Sequence, residues 1–322
     1  MTEPYRALAV VGPTAGGKTA LALALGEALD GEIVGCDSMQ IYRELSVGTA
    51  KPTEKERARL PHHLIDFLPP DAPYSAADYG ADALLAVKDI TARGKLPVFC
   101  GGTGLYLEAA RTGRHVTGEP SDPAVREALT KQAETEEGYA ALCKELLTVD
   151  PESAAVIHPN NRRRILRALE IYRVSGKPKS VWDAESRQRP RQMDLCILGL
   201  FYRDRALLYE RIERRVHAML KDGLFEECVS LYAKGYLHEG STAAQAIGYK
   251  ELLPAVRGEI SLTEATESLI TATRRYAKRQ LTWFTATDGI RPIYADEQGR
   301  MKSEEQLLSE ALAEYSQFLK GK

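Results

Sequence analysis

The spacing of apolar residues along the chain switches between short unbroken runs and a helical period of three and four. Ala7-Leu8-Ala9-Val10-Val11 is such a run and predicts a buried strand; the Ala/Leu-rich stretch Thr19 to Leu29 then predicts a small-residue helix suited to close packing on a sheet. Glu32 to Cys36 and Leu96 to Cys100 predict further strands, and His62 to Asp66 a third. Between them lie a polar helix over Lys51 to Leu60, begun by Pro52-Thr53, and a helix capped by Ser75 and ended near Arg93-Gly94. From Pro123 to about Ser186 the pattern is helical throughout, with Gly176 placed to end the helix Asn161 to Ser175. Strand character returns over Asp194 to Tyr202. A helix over Arg203 to Asp222, a short strand at Pro292 to Ala295 and an amphipathic helix from about Glu304 to Leu319 complete the chain.

This order predicts an α/β fold, a parallel sheet flanked by helices, interrupted by an all-helical insertion. The stretch Thr112 to Pro123, rich in Gly, Pro, Ser and Thr, reads as the linker into it. The domains expected are a core of residues 1–114 and 194–322 and an insertion of residues 115–193.

The junction of the first strand and helix carries Gly12-Pro13-Thr14-Ala15-Gly16-Gly17-Lys18-Thr19, the phosphate-loop pattern G-x-x-x-x-G-K-[ST] in the strand-to-helix context it requires. Glycines let successive N–H groups turn inward, the helix presents its positive end, Lys18 adds a charge and Thr19 offers a hydroxyl to Mg²⁺. The core is therefore expected to be P-loop NTPase-like, of the nucleotide-kinase type. In an open parallel sheet ligands lie beyond the carboxyl ends of the strands, which puts Asp37, at the end of the second strand, on the same rim. The Leu96–Cys100 strand ends in Cys100 and the turn Gly101 to Gly104, whose only side-chain hydroxyl is that of Thr103. It supplies no acid to orient a hydrolytic water or Mg²⁺, which weighs against an ATP-driven motor.

Composition narrows the class. The 322 residues are 44% hydrophobic and 27% charged, enough for a sizeable core. No apolar run approaches the ~20 residues of a membrane span, and Met1-Thr2-Glu3-Pro4 begins no signal peptide, so a cytoplasmic protein without membrane contact is expected. The five widely spaced cysteines suggest neither a disulfide framework nor a metal site. His62 and His63 are neighbours on a predicted strand and point to opposite faces, which does not suit a shared zinc. Net charge is only −2, yet His158 to Arg191 carries ten Lys/Arg against three acids, and Ser268 to Thr287 carries Arg274, Arg275, Lys278 and Arg279 with no acid. Such faces suit a polyanionic partner; solvated helix surfaces are the bland alternative.

Several stretches together resemble one family, the tRNA dimethylallyltransferases, also called tRNA isopentenylpyrophosphate transferases. They are Gly12 to Thr19, Asp37-Ser38-Met39-Gln40-Ile41-Tyr42, Gly48-Thr49-Ala50-Lys51-Pro52, Tyr74-Ser75-Ala76, Gly101-Gly102-Thr103-Gly104-Leu105-Tyr106, Arg164 to Glu170, and Ala277 to Trp283. They cover nearly the whole chain in order. One departure stands out: Gly16 occupies a position where the family commonly has Ser, a change of little consequence to a backbone cradle.

The resemblance implies transfer of a dimethylallyl group from dimethylallyl diphosphate to N6 of adenosine 37 beside the tRNA anticodon, with diphosphate leaving. It implies that Gly12 to Thr19, with Arg215 and Arg211, hold the diphosphate, that Lys18 and Thr19-held Mg²⁺ stabilise its developing charge, and that Asp37 takes the N6 proton. An outer-sphere role at Mg²⁺ or a helix cap is the alternative for Asp37. By the same resemblance, Asp37, Ser38, Met39, Gln40 and Thr103 contact the flipped base and its neighbours, and Arg126, Arg163, Arg164 and Arg167 hold the anticodon stem-loop through phosphates. Surface ion pairs are the alternative for each arginine. A monomer is expected. A kinase or an isopentenyltransferase acting on free adenine nucleotide fits the same core, but not the size and charge of the insertion.

Overall fold

The computed structural model describes residues 4–113, 120–188 and 191–321, without the side chain of Arg187. Half of the expected linker, residues 114–119, and the basic residue Arg189 therefore lie outside the described residues. In chain order the elements are β1 (Tyr5–Val11), α1 (Lys18–Ala28), β2 (Gly31–Gly35), α2 (Glu54–Arg59), β3 (His62–His63), α3 (Ala76–Ala92), β4 (Leu96–Gly101) and α4 (Gly104–Thr112). The helices α5 (Pro123–Gln132), α6 (Glu136–Val149), α7 (Pro151–Val156), α8 (Arg162–Ser175) and α9 (Lys179–Gln188) follow. Then come β5 (Met193–Phe201), α10 (Arg205–Lys221), α11 (Leu224–Ala233), α12 (Thr242–Gln245), α13 (Tyr249–Val256), α14 (Leu262–Thr285), β6 (Ile290–Tyr294), the small hairpin β7 (Asp296–Glu297) and β8 (Arg300–Met301), and α15 (Glu304–Lys320). The chain divides into two compact units, residues 1–111 with 193–322 and residues 112–192.

The larger unit is built on a six-stranded sheet of order β3-β2-β4-β1-β5-β6, parallel at every pairing. Because side chains alternate faces along a strand, β1 serves two cores at once. Leu8 and Val10 pack with α1, α10 and α15 residues such as Leu21, Leu25, Ile212 and Tyr315. Ala7, Ala9 and Val11 pack on the other side with Tyr79, Val87, Leu107 and Phe284. A strand apolar on both faces can only be central, as β1 is, between β4 and β5. A third cluster joins Ile41, Tyr42 and Leu45 to α11, α13 and α14.

The third strand is shorter than the apolar run predicts. Leu64 and Asp66 take φ values of 58° and 62°, left-handed conformations that no β-ladder accommodates, so only His62 and His63 pair with β2. The two histidines are engaged separately: His62 Nδ1 lies 2.8 Å from the Leu60 carbonyl oxygen and His63 Nε2 lies 2.7 Å from the buried Glu32 carboxylate.

In the smaller unit α5 to α8 start on side-chain caps: Asp122 accepts from Ala124 N–H, Thr135 from Gly138 N–H, Asp150 from Ser153 N–H and Asn161 from Arg164 N–H. Each cap satisfies an amide the first helical turn leaves unpaired, worth about 1 kcal/mol. Helix α8 ends at Gly176 with φ 71°, and Leu129, Leu142, Leu146, Ile165 and Leu169 form the unit's own core.

Candidate active site

The site of the larger unit grows from the carboxyl ends of β1, β2 and β4. At the end of β1, Gly12 turns at φ 145°, and a Cβ there would lie 2.5 Å from the Leu200 carbonyl oxygen, so only glycine lets the loop leave between β1 and β5. Ala15 is held at φ 59°. Three side chains from distant segments fix this backbone. Gln280 Oε1 accepts the Thr14 N–H at 2.8 Å, Arg211 Nε–H donates to the Ala15 carbonyl at 2.9 Å, and the Tyr202 hydroxyl donates to the Gly16 carbonyl at 3.0 Å. Helix α1 begins on Gly17 without a side-chain cap or an acid in its first turn, so its leading N–H groups and positive end face an incoming anion.

Lys18 Nζ donates to the Pro13 carbonyl at 2.8 Å. Burial, aided by the nearby Arg215 charge, lowers its pKa to about 8, against the opposing pull of Cys100 and Asp37. Burial likewise lowers the pKa of Arg215, with Arg211 adding to it and Asp37 opposing it; the guanidinium stays charged regardless. These groups line a cleft of ≈ 570 Å³. Its walls carry Lys18, Lys51, Arg211, Arg214 and Arg215 against the single acid Glu56. A surplus of fixed cations around unpaired helix amides is suited to a polyphosphate.

The second part of the rim is the turn after β2. Asp37 Oδ1 accepts the Met39 N–H at 2.9 Å, and no other hydrogen bond reaches its carboxylate among the described residues. Its negative charge is felt at Lys18, Arg215 and Tyr276, whose pKa values it raises. Thr103, in the turn after β4, donates its N–H to the Cys36 carbonyl at 3.2 Å, and its hydroxyl oxygen accepts the Ser38 N–H at 3.0 Å. Gln40 donates to the carbonyls of Thr49 and Ala50 at 3.0 and 3.1 Å, while Met39 packs toward the third cluster. Asp37, Ser38 and Thr103 are thus brought together, and the Gln40 amide is occupied in holding the 49–50 turn. Cys100, where NTPases of this loop type carry an acid, has its thiol pushed up to about 11 by burial, against the opposing pull of Lys18.

The arginines of the smaller unit divide into two sets. Arg126 and Arg167 both bind the buried Glu170, at 3.0 and 2.9 Å. Arg162 pairs with Glu136 and stacks on Tyr139, and Arg173 pairs with Glu145. Arg163 and Arg164 are exposed and make no ion pair among the described residues. The local excess of positive charge read from the sequence is therefore partly compensated by acids on other helices, and Arg163 and Arg164 remain without an acidic partner among the described residues.

Residues 40–287 match the family model described as IPP transferase, and residues 5–66 match that for isopentenyl transferase. A tRNA dimethylallyltransferase of Caldanaerobacter subterraneus subsp. tengcongensis is 46% identical over 289 residues, 89% of this chain and 91% of that protein. One from Geobacillus thermodenitrificans is 48% identical over 284 residues, 88% of each. The chain belongs to the tRNA dimethylallyltransferase family.

Solved structures agree. A full-length tRNA isopentenylpyrophosphate transferase from Bacillus halodurans superposes with a TM-score of 0.70 at 36% identity, covering 98% of this chain and 97% of that one. A eukaryotic dimethylallyltransferase captured acting on tRNA gives 0.80 at 27% identity, over 98% and 80%. Set in the tRNA dimethylallyltransferase family, several residues without a role assigned from sequence gain a place. Lys51 lines the phosphate cleft and pairs with Asp66 at 2.5 Å. Glu227 accepts the N–H groups of Ser46, Val47 and Gly48 at 3.0, 2.9 and 3.0 Å, and with Tyr249 pins the turn that carries Lys51. Tyr276 lies beside Thr103 and has its pKa raised by burial and by Asp37. Lys51, Tyr276 and Gln280 lie in or beside stretches already quoted for the resemblance; Glu227 carries no local signal, because its partners are 179 to 181 residues away.

Proposed function

We propose that this chain, acting as a cytoplasmic monomer, transfers the dimethylallyl group from dimethylallyl diphosphate to N6 of adenosine 37 in the tRNA anticodon loop and releases diphosphate. The observation that carries the reading is the shared rim: a phosphate cleft rich in cations lies beside a carboxylate with only one hydrogen-bonded oxygen, and the strand between them ends in Cys100 instead of an acid. Among the described residues no helix is long and apolar enough to cross a membrane.

The chemistry follows from the groups. The allylic C–O bond breaks and its electrons leave on diphosphate, whose new charge meets Lys18, Arg215 and the amides of the α1 N-terminus. The N6 lone pair forms the new C–N bond, and the N6 proton passes to the Asp37 carboxylate, a step worth about 10²- to 10⁴-fold. The Thr19 hydroxyl is a hard oxygen donor that suits Mg²⁺ held mainly by substrate phosphate. When bound, Mg²⁺ would neutralise diphosphate charge. Arg163 and Arg164 would hold RNA phosphates, while Arg126 and Arg167 are paired with Glu170.

The test is to incubate the protein with Mg²⁺, unmodified tRNA and dimethylallyl diphosphate, digest the RNA and look for N6-dimethylallyladenosine by mass spectrometry. Product with tRNA and none with AMP or ATP is the expected result. Folded protein that yields no modified adenosine in tRNA would overturn it.

A further inference from the structure

One buried side chain joins the two halves of the rim. Gln280, 5% exposed on α14, accepts the Thr14 N–H through Oε1 at 2.8 Å and donates through Nε2 to the Gly102 carbonyl at 3.0 Å. Both partners are backbone groups of fixed polarity, so the orientation of the amide is dictated. Thr14 belongs to the phosphate loop; Gly102 precedes Thr103, the residue that holds Ser38 beside Asp37. A Cβ on Gly102 would lie 2.1 Å from Gln280 Nε2, so the contact depends on glycine there.

The neighbouring turns of α14 lie along the same loop. Tyr276 lies beside Thr103, and a Cβ on Gly104 would lie 2.1 Å from Trp283 Nε1. Residues 276, 280 and 283 are spaced four and three apart and share one helix face. That face lies along the β4 turn, and Gln280 alone of the three also reaches the phosphate loop.

We infer that Gln280 is a positioning residue that sets the distance between the diphosphate cradle and the acceptor turn. The inference rests on the transfer reaction proposed above. Transfer needs the allylic carbon and the attacking nitrogen within about 3–3.5 Å, and a misplacement of about 1 Å can cost roughly a hundredfold in rate. Each half of the rim has its own remaining contacts: the loop keeps Arg211 and Tyr202, and Thr103 keeps Cys36 and Ser38. Loss of the Gln280 amide therefore impairs the alignment of the two substrates more than the binding of either.

The experiment compares wild type with Gln280→Met, which keeps length and volume but neither hydrogen bond, and Gln280→Glu, which can still accept from Thr14. Single-turnover transfer at saturating tRNA and donor is expected to fall roughly ten- to a hundredfold in Gln280→Met. The Kd values for Mg²⁺-diphosphate and for unmodified tRNA, measured separately, are expected to change less than about threefold. Gly102→Ala should reproduce the rate loss from the other side of the contact, and the double variant should be no slower than the slower single one. Unchanged transfer in Gln280→Met, losses that multiply in the double variant, or a rate loss matched by both affinities would overturn the inference. If Gln280→Met does not fold, the same criteria apply to Gln280→Glu and Gly102→Ala. Absence of transfer by wild type would instead overturn the proposed reaction.

Discussion

The Thr103 hydroxyl oxygen accepts the Ser38 N–H at 3.0 Å, bridging two turns separated by 65 residues. Thr103→Val keeps the shape and removes the acceptor, leaving a partly buried N–H unpaired at about 1–3 kcal/mol. Because this bond holds the turn that carries Asp37, transfer is expected to slow by at least about tenfold while Mg²⁺-diphosphate binding is retained. Single-turnover assays paired with diphosphate titration check it.

Asp37 presents one carboxylate oxygen to Met39 and leaves the other without a bond among the described residues. If that oxygen takes the N6 proton, Asp37→Asn, which preserves the turn's acceptor, lowers the rate by about 10²- to 10⁴-fold with little change in tRNA Kd. A near wild-type rate would leave Asp37 with only the structural bond to Met39.

Lys18, with its pKa lowered to about 8, is expected to make donor binding sensitive to pH. The charged ammonium attracts diphosphate, so affinity should weaken as pH rises through about 8, by up to about tenfold per unit. Lys18→Met should flatten that dependence. Stability moves the other way: between about 8 and the unfolded-chain value of 10.5 the unfolded state holds the proton that the folded state has released, so this group adds stability as pH rises. Calorimetric titration of Mg²⁺-diphosphate and thermal melts across that window measure the two effects.

Arg163 and Arg164 project from the first turn of α8 without an ion pair among the described residues. Their joint replacement by alanine is expected to weaken tRNA binding across sequences and to reduce the slope of log Kd against log salt by about one for each phosphate no longer neutralised. Arg173→Ala, which removes a cation already paired with Glu145, should change the slope far less. Equal slopes for both variants would remove the phosphate-binding role from Arg163 and Arg164.

The parts of this molecule legible in its sequence are those governed by neighbours along the chain. The β1 run, the phosphate loop and the caps at Ser75 and Gly176 depend on local spacing and local backbone preference, and the structure places them accordingly. The true extent of the third strand is not legible, because what truncates it is a pair of left-handed residues rather than a change in hydropathy. Nor is the braced state of the phosphate loop, whose partners Tyr202, Arg211 and Gln280 come from β5's end, α10 and α14. Charge counting overstates the freedom of Arg162 and Arg173, since Glu136 and Glu145 reach them from another helix.

The sheet order places β4 between β2 and β1, so the turn that carries Asp37 and the phosphate loop leave the sheet two strand spacings apart, about 10 Å. The turn after β4 is then a spacer of fixed length. A residue added to it or removed from it would take Gly102 out of register with Gln280 and Thr103 out of register with Ser38 at once, which makes that short glycine-rich turn intolerant of any change in length.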